Sequence, residues 1–122
     1  MLSLPPSVRI FVACGATDLR RSFDTLSVLV KDVLRQDPFS GHLFAFFNRR
    51  RDRVKLLVWD RTGFWLFYKR LEEGTFTLPG PGSRVELSVR DLLLVLEGID
   101  LREVRQRRRY RGQVPAALDL SS

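Results

Sequence analysis

The chain is poor in the residues that build reactive centres. Among its 122 residues, Cys14 is the one cysteine and His42 the one histidine. A lone cysteine excludes an intrachain disulfide, and two Cys/His positions cannot make a structural zinc site. The default for such a chain is a reducing cytoplasm. Long apolar runs are missing too: none approaches the ~20 residues that a membrane span requires. FVAC (Phe11 to Cys14) has the outline of a lipoprotein cleavage box, but the apolar run before it is short and follows Pro5-Pro6, which argues against that reading. A glycine-rich phosphate loop is absent, because Gly80 and Gly82 flank Pro81 with no lysine-bearing helix start after them. Lysine itself is scarce, with three against 18 arginines.

What is there is positive charge. The formal net charge is +7, a balance that favours polyanionic partners and says nothing about the fold. Arginine offers a planar fork that matches phosphate, carboxylate and base edges. A GC-rich genome yields the same bias with no function behind it. The charge is unevenly placed: residues 49–70 carry eight basic and two acidic side chains, residues 71–100 two and six, and residues 101–122 six and two. With 44% hydrophobic and 29% charged residues, the length suits one domain with a modest core. We expect that domain over residues 1–100 and a basic, flexible tail over 101–122.

The first element is a strand, VRIFVA (Val8 to Ala13), ended by Cys14-Gly15. A helix over Ser22–Gln36 follows, in which Phe23, Leu26, Leu29, Val30, Val33 and Leu34 recur at helical spacing. Thr17 or Asp18 is placed to cap it, and Asp37-Pro38 to stop it. Three strands come next: Leu43 to Asn48, Arg53 to Trp59 and Phe64 to Leu71. Their links, Arg49 to Asp52 and Asp60 to Gly63, are of hairpin length, which predicts an antiparallel meander. Gly74 to Ser83 reads as a loop and Val85 to Leu87 as a short strand. Ser88 with Asp91 three residues on is a capping pattern for a helix over Val89–Glu97, stopped at Gly98. The expected fold is α+β: an antiparallel sheet built from the meander plus Val8–Ala13, one helix on a face, and the C-terminal helix at an edge or end.

Each motif has a plain reading beside a functional one. FFNRRRDRVKLLVWD (Phe46 to Asp60) contains a basic hairpin. A two-stranded ribbon fits the major groove of DNA, yet charged turns also keep sheet edges from aggregating. Arg102 to Arg111 is a nucleic-acid arm or a solubilising tail. Trp59, Phe64, Trp65, Phe67 and Tyr68 stack bases, or more simply fill a core. Asp60, Glu72 and Lys69 have the residue types of a magnesium nuclease but no defensible spacing. His42 has no second histidine beside it, and its default is a hydrogen-bonded surface position.

Several stretches together resemble a known family. CGATDLRRSFDTL (Cys14 to Leu26), DPFSGHLFAFFNRRRDRVKLLVWD (Asp37 to Asp60), GFWLFYKRLEEGTFTLP (Gly63 to Pro79) and LEGID (Leu96 to Asp100) stand in the order and spacing of the TnpB-type accessory proteins of bacterial insertion sequences of the family numbered sixty-six. The likeness covers about residues 8 to 100. Ser22 departs from it, standing where a glycine is expected, and so does Phe47, where a polar residue is common. The resemblance implies a small non-catalytic protein, encoded beside a separate DDE-type transposase and needed for efficient transposition. The expected partners are DNA, that transposase and the element's other accessory protein, and neither cofactor nor metal is expected. On the DNA reading, Arg49, Arg50, Arg51, Arg53 and Lys55 make phosphate or groove contacts. Arg61, Lys69 and Arg70 support them, and Arg107, Arg108 and Arg109 extend them into the tail. The other reading is an adaptor whose aromatic sheet face docks the transposase or a second copy of the chain.

Overall fold

The computed structural model describes residues 7–78 and 84–101. Seven elements follow in order: β1 (Ile10–Ala16), α1 (Phe23–Asp32), β2 (Leu43–Phe47), β3 (Arg53–Trp59), β4 (Phe64–Arg70), β5 (Arg84–Leu87) and α2 (Val89–Leu96). The strands form one five-stranded sheet in the order β4-β3-β2-β1-β5. The meander of β2, β3 and β4 is antiparallel, as the short links predict. β1 instead pairs with β2 in parallel, Ile10 opposite Leu43, because α1 carries the chain back across the sheet between them. β5 closes the other side of β1 antiparallel, Ile10 opposite Leu87. The sheet is therefore mixed and mostly antiparallel, within the expected α+β class.

Both faces of the central strands are apolar, and each is covered by a helix. On one face Leu26 and Val30 of α1 pack with Phe11, Phe44, Phe46 and Leu57. On the other Leu92 and Val95 of α2 pack with Ile10, Val12, Leu43, Ala45 and Val54, joined by Phe76 and Leu101. α2 thus lies over a face rather than at an edge. Large apolar groups on both sides of β1 and β2 need two covers, and α2 supplies the second. Full burial of such a side chain contributes about 1.5–3 kcal/mol each.

Three boundaries differ from the sequence pattern. β1 continues past Cys14-Gly15 through an irregularity between Ala13 and Ala16, so its end bends rather than stops. The N-cap of α1 is Ser22, which makes no side-chain cap bond; Asp18 is occupied by Arg20 instead. α1 also ends before Pro38. Arg35 takes a left-handed φ of 55°, and Gln36 N donates back to Val30 O at 3.1 Å, which closes a wide turn after the helix. α2 follows its signals closely. The Ser88 hydroxyl accepts from Asp91 N at 3.1 Å, and Gly98 takes a φ of 80° just past the helix end.

Candidate nucleic-acid interface

Asn48 organises the basic hairpin. Its Oδ1 accepts from the backbone N–H groups of Asp52 (3.1 Å) and Arg53 (3.0 Å), and its Nδ2 donates to Asp52 Oδ1 at 2.6 Å. Arg51 N closes the turn on Asn48 O at 3.1 Å. Arg51 itself sits at a φ of 59°, where an L side chain costs about 1–2 kcal/mol. Its other contacts offset that cost. Arg51 Nη2 donates to Cys14 O at 2.6 Å, and Phe76 N donates to Arg51 O at 2.6 Å.

The predicted basic residues separate into groups. Arg49 and Arg50 are exposed at the turn. Within the described residues neither forms a hydrogen bond or ion pair through its side chain. Arg53 is exposed and donates to Tyr68 Oη at 3.2 Å. Arg70, its cross-strand neighbour, pairs with Glu72 at 3.0 Å. Arg51 and Lys55 turn inward. Lys55 is buried, donates to Arg21 O at 2.9 Å and lies 5.1 Å from the centre of the Tyr68 ring. These two hold the surface together. Lys69 lies on the opposite face, where Nζ donates to Leu96 O at 2.8 Å, with Glu97 at 4.0 Å. Arg61 is exposed in the β3–β4 turn, at the far end of the hairpin. Arg107, Arg108 and Arg109 lie outside the described residues.

A shallow cleft of about 280 Å³ gathers Arg50, Arg53 and Tyr68 with Arg20, Asp18 and Asp52. Arg20 comes from the segment after β1. Parallel strands end at the same edge of a sheet, so the loop after β1 meets the loop after β2. The sequence pattern missed Arg20 because its own block is nearly neutral and nothing local announces the parallel pairing. Arg20 forks onto Asp18, with Nη2 2.8 Å from Oδ2 and Nε 3.0 Å from Oδ1. Those bonds hold the Asp18 carboxyl down at about 2. Asn48, donating to Asp52, lowers that carboxyl as well. Both acids are therefore ionised at neutral pH and temper the charge of the cleft.

The other candidate groups are spent or separated. Trp59, Phe64 and Phe39 form an aromatic cluster with centroids 5.0–5.4 Å apart. Trp65 is exposed, stacks beside Phe67 at 6.0 Å and donates through Nε1 to Asp60. Asp60 also accepts from Thr62 N and Gly63 N, an Asx turn that shapes the β3–β4 link. Lys69 lies five residues beyond Phe64 on an extended strand, ~17 Å along it, so the structure does not gather Asp60 and Lys69 into one site. No group of three or more His, Cys, Asp or Glu residues able to hold a metal occurs among the described residues. His42 Nδ1 accepts from Arg9 N at 2.9 Å. On the α2 side of the sheet, an open apolar groove of about 380 Å³ runs between Leu93 and Leu96 of α2 and Leu56 and Phe67 of the sheet. No described helix is long and apolar enough to cross a membrane.

Comparison with known proteins agrees with the motif pattern. A family model described as IS66 Orf2 like protein matches residues 8–106. Two similar curated proteins come from Sinorhizobium fredii (strain NBRC 101917 / NGR234). "Uncharacterized protein y4hO" is 38% identical over 103 residues, covering 84% of this chain and 90% of the relative. "Uncharacterized protein y4jC" is 32% identical over 108 residues, covering 88% and 92%. No solved structure gives a significant match.

Proposed function

The chain belongs to the IS66 Orf2-like family of insertion-sequence accessory proteins, and from that premise we propose that it supports DNA transposition by gripping the DNA backbone, leaving strand cutting and joining to the element's transposase. The observation that carries this reading is the convergence of Arg20, Arg50 and Arg53 on one cleft, with Arg49 and Arg70 exposed beside it. Guanidinium groups projecting from a pinned hairpin suit phosphates, and Tyr68 adds a polar ring to the same cleft. Such contacts position a protein on DNA without specifying sequence. Arg51 and Lys55 enter the reading as groups that fix the hairpin, and Arg61 as an outlying contact at its far end.

Fluorescence anisotropy tests the reading, with element-end duplex and random duplex titrated at several salt concentrations. Each phosphate contact steepens the plot of log affinity against log salt by about 0.9. Replacing Arg49, Arg50 and Arg53 together with alanine is expected to weaken binding to both duplexes and flatten that slope. Unchanged affinity and slope sink the proposal.

The apolar groove beside α2 favours a second reading, an adaptor that docks the transposase or the element's other accessory protein. Co-purification with the transposase after nuclease treatment, with no affinity for DNA alone, selects that reading over the first.

A further inference from the structure

β4 forms one end of the sheet, and no described strand pairs with its outer edge. The bonds from Asp60 N to Gly63 O (3.0 Å) and from Leu71 N to Asp52 O (2.8 Å) fix the phase of the β3–β4 ladder. Every second pair in an antiparallel ladder exchanges hydrogen bonds. Val54 with Lys69, Leu56 with Phe67 and Val58 with Trp65 are thus the bonded pairs. Phe64, Leu66, Tyr68 and Arg70 turn their backbone N–H and C=O groups outward. The edge is seven residues long, FWLFYKR, with no proline and no break in register. Trp65 is 49% exposed and Tyr68 54%. A long, regular, apolar edge of this kind is a template for another strand.

We infer that β4 pairs antiparallel with β4 of a second copy of this chain, about a two-fold axis through Phe67. The order of residues in the strand supports this occupant. In that register Phe64 stands opposite Arg70 of the second copy, Trp65 opposite Lys69, and Leu66 opposite Tyr68. Every cation stands opposite an aromatic residue, within reach of a cation–π contact, and no two like charges face each other. The outward-turned residues Phe64, Leu66, Tyr68 and Arg70 meet one another, so their backbone groups are in phase to bond. Sliding the strands by two residues keeps that phase but leaves two residues of each strand unpaired. Sliding by one sets outward groups against inward ones. Lysine and arginine on an edge normally discourage pairing; here the two-fold places each beside a ring. Paired residues share a face, so Trp65 and Phe67 of both copies merge into one apolar strip on the side that carries α2.

Sedimentation equilibrium of the full chain over a range of concentrations is the test. The parent is expected to reach the mass of two chains. Tyr68→Pro removes one outward N–H without touching the β3 ladder, and it is expected to return the mass to one chain. Trp65→Lys sets lysine against Lys69 of the second copy and is expected to do the same. Combining Trp65→Lys with Lys69→Trp restores a ring opposite each cation and is expected to restore the dimer. Phe67→Cys is expected to cross-link on mild oxidation, because the two residues meet at the axis; buried Cys14, measured in the parent, gives the background. Far-UV circular dichroism checks that each variant folds. If Tyr68→Pro does not fold, the Trp65 and Lys69 exchange decides. A parent that stays monomeric at every concentration overturns the inference. So does a dimer indifferent to Trp65→Lys, or a double exchange that fails to restore the mass.

Discussion

The Arg51 guanidinium lies 2.6 Å from the carbonyl oxygen of Cys14 and ties the β2–β3 turn to the bent end of β1. This bond spans 37 residues and holds a residue whose own backbone is strained at a φ of 59°. Arg51→Ala keeps the strain and loses the bond. It is expected to destabilise the fold by ~1.5–3 kcal/mol, the range for hydrogen bonds to charged groups. Arg51→Gly also loses the bond but relieves the backbone, so its loss is expected to be smaller by up to about 1 kcal/mol. Urea denaturation of both variants checks the order, and a glycine variant less stable than the alanine one contradicts it.

Arg50 is the neighbour that points outward. Arg50→Ala is expected to leave stability within about 0.5 kcal/mol of the parent. On the DNA reading it lowers the salt slope of binding by about 0.9. Arg51→Ala, assayed at a temperature where it remains folded, is expected to move the slope less. Adjacent arginines that shift both quantities equally would refute this division of roles.

The two helices begin on serine in different ways. Ser88 Oγ accepts from Asp91 N, whereas Ser22 makes no side-chain cap bond. Ser88→Ala is expected to cost ~1 kcal/mol, as cap removal commonly does. Ser22→Ala is expected to cost close to nothing. Thermal melts of the two single variants give the comparison.

Four carboxylates are held below their ordinary values, and each has its cause. Arg20 bonds to Asp18, Asn48 to Asp52, Trp65 to Asp60 and Arg9 to Glu86. A lowered folded value means that protons bind the unfolded chain more readily. The stabilisation is therefore full above the ordinary values of 3.8 for aspartate and 4.5 for glutamate. It is lost as pH falls through the folded ones. The melting temperature is expected to be flat from pH 7 to about 5 and to decline below that, with the Asp18 contribution persisting until pH nears about 2. Asp18, Asp60 and Glu86 are exposed and Asp52 is half-buried, so added salt is expected to shrink the decline. A melting temperature that rises as pH drops from 4 to 3 would contradict the assignment.

Cys14 is buried, and loss of hydration raises its thiol above the ordinary range, opposed by the charge of Arg51. The thiolate is the reactive form. Alkylation near pH 8 is therefore expected to be slow in the folded protein and fast in denaturant, as followed by mass spectrometry. Rapid modification of the native chain would show that this end of β1 opens readily.

Much of the fold was legible where the signal was local. The β3 bounds, Arg53–Trp59, follow directly from turn residues on either side, and Ser88 and Gly98 mark α2 by their chemistry. The parallel union of β1 with β2 was not legible, because the order of strands depends on contacts far apart in sequence. The same gap hid Arg20, whose neighbours in space are Arg50 and Arg53. Arg51 and Lys55 read as surface charge because composition gives no side-chain direction. Only the bonds to Cys14 O and Arg21 O show them facing inward. The left-handed Arg35 was equally hidden, since glycine is the residue that usually announces such a turn.

The pairing of β1 with β5 has a consequence for how the protein is made. Ile10 waits for Leu87, and Arg9 for Glu86, 77 residues later in the chain. Until that late segment leaves the ribosome, β1 keeps one side open. Contacts of such long range are slow to form, and an open strand side invites aggregation. A chain truncated before Arg84 thus keeps an uncovered edge on β1, a target for chaperones and proteases.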